Sequence, residues 1–320
     1  MKLGFLTALY SNMPLKKVLE LTRPLGLEAI EVGTGNYPGD PHAPLQELLK
    51  SKPKRDELLA LVKSEGLIIS ALSCHGNCLH PDENFAKKSQ QVQTDTIKLA
   101  ELMGIKTVID FSGCPGSDEG AKRPSWVTCP WPPEYLEALE WQWDKKVIPY
   151  WSKQAKFAKE HGVQVAFEMH PGFVVYNTET LLKIRKACGN NLGANLDPSH
   201  LFWQGMEPID VVRALGKAIF HVHAKDSLVY PQNARVNGVL DTKHYGDEIN
   251  RSWIFRTCGF GHSVEWWKDF VSTLRMVGYD HVLSIEHEDS LMSNNEGLRK
   301  AVECLKQAII SEKVTAMTWA

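Results

Sequence analysis

The sequence predicts an α/β chain closed as a (β/α)8 TIM barrel, and three observations carry that reading. Apolar strand-like runs alternate with amphipathic helix-like segments through eight repeats, and strict strand–helix alternation makes a parallel sheet. Eight such units suffice to close the sheet on itself. The rival, a doubly wound dinucleotide-binding sheet, lacks its signature, since no G-x-G-x-x-G follows the first strand. All 320 residues, 43% of them hydrophobic, read as one barrel domain, 1–320.

The elements follow in order. KLGFLTAL (2–9) reads as a strand and PLKKVLELTRPLG as its helix. LEAIEVG (27–33), with a helix over 55–66, is the second unit, and LIISALSCHG (67–76), with 85–104, the third. IKTVIDFSG (105–113) pairs with a helix near 143–162, VQVAFEMHP (163–171) with one near 178–189, and LGANLDPSH (192–200) with one near 207–218. IFHVHAKD (219–226) with 265–278, and YDHVLSIEHED (279–289) with 295–311, complete the set. Three helices end in glycine directly before an apolar strand (EG-LII, MG-IKT, HG-VQV), as tight helix-to-strand turns require. Long loops follow strands 4 and 7, at about 114–141 and 227–264. Both leave strand C-termini, where barrel active sites form, so both are expected to wall or cover a site.

Composition excludes several classes. A net charge of −2 exerts no general pull on nucleic acid or an anionic membrane, and no apolar run approaches the roughly eighteen residues of a membrane span. MKLGFLTALYSNMP reads as a first strand rather than a signal peptide. Seven scattered cysteines, an odd number, argue for reduced thiols and a cytoplasmic setting. The terminal KVTAMTWA is apolar enough to pack on a neighbour or on the barrel, and a homo-oligomer or a small partner subunit stays open.

Ionisable side chains at apolar strand ends are the informative exceptions. Glu168 and His170 share a strand face, as do Asn195 and Asp197, then His221, His223 and Lys225, then Ser284, Glu286 and Glu288. Singly each has a structural explanation: Asp197 before Pro198 suits a helix cap, Glu286 an arginine partner, His223 a hydrogen-bonded core imidazole. Their coincidence at the tops of four consecutive strands does not. Three converging carboxylates repel one another unless a cation lies among them. Two Glu, one Asp and one His suit one octahedral divalent ion, with Mn²⁺ or Mg²⁺ favoured by the carboxylates and Zn²⁺, Co²⁺ or Fe²⁺ admitted by the imidazole. The CHGNCLH stretch, with Cys74, His75, Cys78 and His80, is too cramped for four ligands to converge on one zinc.

The segments FEMHP, NLDPSH, HVHAKD and IEHED, in this order, resemble the xylose-isomerase-like barrel superfamily of sugar isomerases and epimerases, and the likeness runs from first strand to last helix. The resemblance implies one divalent metal, Mn²⁺ foremost, on Glu168, Asp197, His223 and Glu286. The family's His-x-His, with its second member the ligand, favours His223 over His221, and its Asp-x-x-His matches Asp197 and His200. In the epimerase branch the metal grips a ketose carbonyl and the neighbouring hydroxyl, a cis-enediolate forms, and Glu168 and Glu286 act as base and acid. His75, His170, His200 and Lys225 are expected to touch substrate. The insertion adds His244, Arg251, Arg256 and His262, of which Arg256 and His262 are expected contacts. An insertion of that size suggests a sugar larger than a free hexulose, and the lack of a Gly-rich phosphate loop after strands 7 and 8 suggests an unphosphorylated one. Inosose dehydratases and the larger subunit of C-glycoside deglycosidases expel a β-leaving group from the same enolate. A lyase is therefore the alternative, with His170 or an insertion histidine replacing the Glu pair. Apurinic endonucleases share the superfamily and need about three zinc ions. His75, Glu134, His200 and His262 are spare ligand candidates for them, but the acidic balance and the lack of a Lys/Arg cluster at the strand ends rank this last. A sugar binder without catalysis has no need of two opposed carboxylates. The expected partner is a small-molecule sugar, with no nucleic acid and no membrane.

Overall fold

The computed structural model describes residues 1–313 and 315; the other residues of the KVTAMTWA tail lie outside the described residues. Among the described residues ten strands form: β1 (Lys2–Leu6), β2 (Ala29–Gly33), β3 (Ile68–Ser73), β4 (Thr107–Asp110), β5 (Gln164–Glu168), β6 (Leu192–Leu196), β7 (Ile219–Ala224), β8 (Asp226–Val229), β9 (Trp253–Arg256) and β10 (Val282–Ile285). Eight of them close a parallel barrel in the order β1-β10-β7-β6-β5-β4-β3-β2, while β8 and β9 pair antiparallel as a separate hairpin. The (β/α)8 prediction holds.

Local chemistry sets the boundaries. Gly104, at φ 68, closes the helix Glu83–Met103 in the left-handed conformation, as the MG-IKT turn requires. At the other end of that helix the Asp82 side chain accepts from Asn84 N and Phe85 N. The helix read at 143–162 starts earlier: Glu134–Trp141 runs through a π turn, Gln142–Val147, into Ile148–Glu160. The preceding prolines look like loop in the sequence, yet Pro133 stands at the N-cap. Helices Leu45–Lys50, Pro198–Phe202 and Pro231–Asn237 went unread, being too short to show a period. The last barrel strand stops at Ile285, so Glu286 and Glu288 lie just past it, and Lys225 lies between β7 and β8.

The barrel–helix interface forms one apolar core. Inside the barrel, the lower end is plugged by Ala71, Ile109 and Ala166 with Phe220. The β6–β7 register slips there, so Ala194 pairs with Ile219 but Asn195 with His221. Phe220 lies against Gly193, where a Cβ would come within 2.5 Å of its ring. The bulge therefore keeps Phe220, His221 and His223 all on the interior, which uninterrupted alternation forbids. Two polar tiers lie above the plug. Glu31, Ser73, Asn195, His221 and Ser284 form the lower tier, and Glu168, Asp197, His223, Lys225 and Glu286 the upper.

The two insertions meet over the strand C-termini. Trp126, from the segment after β4, packs with Val229, Val239, Trp253 and Phe255 around Trp203. Trp203 and Trp253 stack at 4.6 Å, and the apolar β9 residues supply the inward face of this second small core. All seven cysteines are free. Among the described residues no helix is long and apolar enough to cross a membrane.

Candidate active site

The upper tier converges on His223. Its Nε2 lies 3.1 and 3.0 Å from the two Glu31 carboxylate oxygens. A carboxylate only accepts, so the proton there belongs to Nε2. The opposite nitrogen, Nδ1, is buried and makes no hydrogen bond, although Glu168 Oε2 and Glu286 Oε2 lie 3.2 and 3.0 Å away. Asp197 is divided in the same way. Its Oδ1 accepts from Ser199 N at 2.8 Å and caps the helix Pro198–Phe202, whereas its Oδ2 is buried without a hydrogen bond. His200 Nε2 at 3.3 Å and Lys225 Nζ at 3.2 Å approach that oxygen at ion-pair distance without hydrogen-bond alignment. The cap reading and the ligand reading of Asp197 thus both apply, one oxygen to each.

One donor atom from each of Glu168, Asp197, His223 and Glu286 lies within 4.8 Å of the others. Three carboxylates and an imidazole lone pair facing one point make the donor set of a divalent ion, and two of its residues, His223 at Nδ1 and Asp197 at Oδ2, carry buried polar atoms without a hydrogen bond. The residues fit the metal.

Electrostatics agree. Burial opposes charge on His223, but Glu31, Glu286 and Glu168 outweigh it and hold the imidazole well above its ordinary pKa. The surroundings thus demand positive charge at Nδ1, which a proton or a metal ion can provide. Burial pushes the Glu168 carboxyl up, yet His200, His223 and His75 together hold it well below the usual range. His200 Nε2 reaches Glu168 Oε1 at 3.0 Å and His75 Nε2 reaches Oε2 at 2.9 Å. Burial likewise opposes ionisation of Glu286, and Lys225 overrides it. The Lys225 ammonium donates to Glu286 Oε2 at 2.8 Å and to Glu288 Oε2 at 3.0 Å; burial disfavours its charge, but these carboxylates and Asp197 keep it protonated.

Most of the expected substrate contacts are brought to this cluster. His75, His200 and Lys225 touch its carboxylates directly. His170 packs 4.1 Å from the His200 ring and donates from Nδ1 to the Pro171 carbonyl at 2.6 Å, leaving Nε2 as a lone pair. Burial, with His200 adding, pushes its pKa down to about 3, so it stays neutral. With Tyr245, Ile254, Phe255, Glu288 and Ser290 it lines a cavity of about 400 Å³. Lys225 Nζ lies 4.7 Å over the Phe255 ring, which ties that cavity to the cluster. Arg256 and His262 are not brought in. Arg256 Nε pairs with Asp289 at 3.1 Å, and His262 Nδ1 pairs with buried Asp226 at 2.7 Å while stacking on Phe202. Buried acids draw both into holding the insertion. Arg251 is buried and donates to the Trp253 carbonyl, and Glu134 is exposed on its helix.

Glu31 was missed by sequence reasoning. The signal was present, since AIEVG is a wholly buried strand with a carboxylate at its centre, the same kind of exception that marks Glu168.

The chain is 41% identical over 312 residues to the uncharacterized protein YfiH of Bacillus subtilis (strain 168), covering 97% of this chain and 99% of that one. A 92-residue segment is 32% identical to an inosose dehydratase of Clostridium perfringens, covering 28% of this chain and 30% of that protein. Among solved structures, an IolI protein with a bound zinc atom superposes with a TM-score of 0.65 at 21% identity, over 97% of this chain and 98% of the other. A D-psicose 3-epimerase of Clostridium cellulolyticum H10 does so at 0.60 and 16%, over 96% and 98%. These two likenesses concern the fold. A family model described as xylose isomerase-like TIM barrel matches residues 19–308, and the chain belongs to that family.

Proposed function

We propose that the protein is a divalent-metal-dependent sugar isomerase or epimerase acting on a ketose or keto-sugar. The observation that carries this is the pair of carboxylates, Glu168 and Glu286, flanking the unpartnered Nδ1 of His223 at 3.2 and 3.0 Å. Glu168, Asp197, His223 and Glu286 would hold the ion, Mn²⁺ first by its preference for carboxylate oxygen. Such an ion supplies Lewis acidity that lowers the pKa of a C–H beside a carbonyl. The chain's own part is proton handling and orientation. Glu286, with its side chain 18% exposed, faces the opening and takes or returns the proton on one side. Glu168, held ionised by His75 and His200, does so on the other. Lys225 points an ammonium where negative charge develops on the substrate oxygen. The cavity of about 400 Å³, with Tyr245 and Phe255 on one wall, supports a sugar carrying a substituent rather than a free hexulose.

A lyase is the second reading, and His170 favours it. Its Nε2 lone pair lies beside the cavity, outside the ligand set, and Lys225 is an acid on the other side. Removing a C–H proton and protonating a β-leaving group needs one of each. The inosose dehydratase of C. perfringens is a relative over a 92-residue segment.

One experiment separates the two. Candidate keto-sugars and keto-glycosides are incubated with metal-loaded protein in D₂O. Deuterium in recovered sugar with no group lost marks an isomerase or epimerase, and a stoichiometric leaving group or water marks a lyase. Metal analysis should find about one divalent ion per chain, lost with activity in Glu168→Gln and Glu286→Gln. Undiminished turnover by chelator-treated protein sinks both readings.

A further inference from the structure

We infer that Glu31 is a positioning residue for the metal centre: from β2 it fixes His223 as the Nε2–H tautomer and turns the Nδ1 lone pair toward the point shared with Glu168, Asp197 and Glu286. This rests on the metal-centre reading above.

The geometry is specific. Both Glu31 oxygens lie within 3.1 Å of His223 Nε2, and Glu31 is itself held from two directions. Ser73, on β3, donates to Oε1, and Ser284, on β10, donates to Oε2 at 2.7 Å. One carboxylate therefore ties four strands of the barrel together, β2, β3, β7 and β10. Glu31, Ser73, His223 and Ser284 are all fully buried. Barrel interiors are ordinarily filled by branched apolar side chains, and an ionised carboxylate placed there has a desolvation cost that packing does not offset. Acting on His223 gives it a function that packing does not.

The neighbouring imidazole shows the selectivity of the arrangement. His221 Nδ1 bonds Asn195 Oδ1 at 2.9 Å and its Nε2 bonds Ser70 Oγ at 3.2 Å, so both nitrogens are engaged, and Glu31 stands 3.9 Å from its Nδ1. Glu31 chooses His223. A charged acceptor on the far nitrogen also raises the basicity of the near one, which strengthens it as a metal donor.

The test measures metal affinity by competition with a chelator of known strength, using Mn²⁺ and Co²⁺ alone, in wild type, E31Q, S284A and E168Q. Glu31→Gln keeps an acceptor but removes the charge, so affinity should fall about 10- to 100-fold, with a changed absorption spectrum of the bound Co²⁺. Ser284→Ala leaves the charge but strips one donor, and a loss of up to about fivefold is expected, the worth of one hydrogen bond. In zinc-loaded wild type, ¹⁵N spectra of the histidine rings, assigned with His223→Asn, should show His223 protonated at Nε2 and metal-bound at Nδ1. This measurement decides the matter even if E31Q does not fold. Zinc on Nε2, or wild-type affinity in a folded E31Q, overturns the role of Glu31 and leaves the metal centre standing if E168Q still loses the ion. A wild-type protein that binds no ion overturns the metal centre itself.

Discussion

The two polar tiers of the barrel each set a histidine among carboxylate and other polar side chains, and they differ in how their polar atoms are satisfied. In the lower tier the partners come from the chain: Glu31 receives Ser73, Ser284 and His223, and His221 is held by Asn195 and Ser70. In the upper tier Asp197 Oδ2 and His223 Nδ1 are buried without hydrogen bonds, and one ammonium, Lys225, is shared by Glu286, Glu288 and Asp197. Buried polarity alone therefore does not mark a ligand site, because a satisfied network has no free donor atom to offer. What marks the upper tier is that its unsatisfied atoms aim at a common point.

His223 joins the tiers, one nitrogen in each, so cutting it gives the largest effect. His223→Asn should reduce turnover by more than about a thousandfold, since a Lewis-acid ion contributes several kcal/mol to such a transition state. It should also strand Glu31 and destabilise the protein by about 3–5 kcal/mol, as removing one partner of a buried ion pair does. Metal content, turnover and thermal unfolding read these out. A variant that keeps its ion and its stability would erase the distinction between the tiers.

Lys225 sharpens the comparison within the upper tier. Replacing it with Met keeps the stem but leaves Glu286 and Asp197 without their cation. In chelator-treated protein Lys225→Met should lower stability by about 3 kcal/mol, with little of that from Glu288, whose side chain is 49% exposed and screened. A divalent ion compensates the same carboxylates, so adding it should raise the unfolding temperature more in K225M than in wild type. An equal rise in both would show that the ammonium and the ion do not serve the same charges.

The upper tier was legible in the sequence because ionisable side chains at the ends of apolar runs have few other reasons to be there. Alternation reached Lys225 and Glu286 although neither lies within a strand. The lower tier was harder to read. Glu31 and His223 stand 192 residues apart, and nothing local to AIEVG announces a partner across a closed barrel. The slip at Asn195 that puts both Phe220 and His221 inside is a one-residue event with no local signal. Arg256 and His262 show the opposite failure. Lying in an insertion at the mouth, they looked like substrate contacts, and only the fold shows Asp289 and Asp226 drawing them away.

A buried carboxylate outside both tiers isolates what the partners do. Asp110, at the end of β4, accepts from Gly76 N, Phe111 N and Gln93 Nε2, all neutral donors. Burial dominates and pushes it up to about 7 from 3.8. Glu31 is equally buried, yet His223, His221 and Ser73 overcome that burial and bring it down to about 2 from 4.5. The signs of the two linkages are opposite. Folded Asp110 keeps a proton that the unfolded chain releases, so its contribution to stability falls as pH rises from about 4 to about 7 and is level above that. Folded Glu31 gives up a proton that the unfolded chain retains, so its contribution is complete above about 4.5 and is lost as pH falls toward about 2. In Asp110→Asn, Oδ1 still accepts from Gly76 and Phe111, and the Gln93 amide can turn over to meet the new one. Unfolding temperature followed against pH in chelator-treated protein should therefore show D110N gaining on wild type between pH 4 and 7. E31Q should lose its deficit only below pH 4.5. If both variants differ from wild type by a constant across the whole range, the charge of the partner is not what separates these carboxylates.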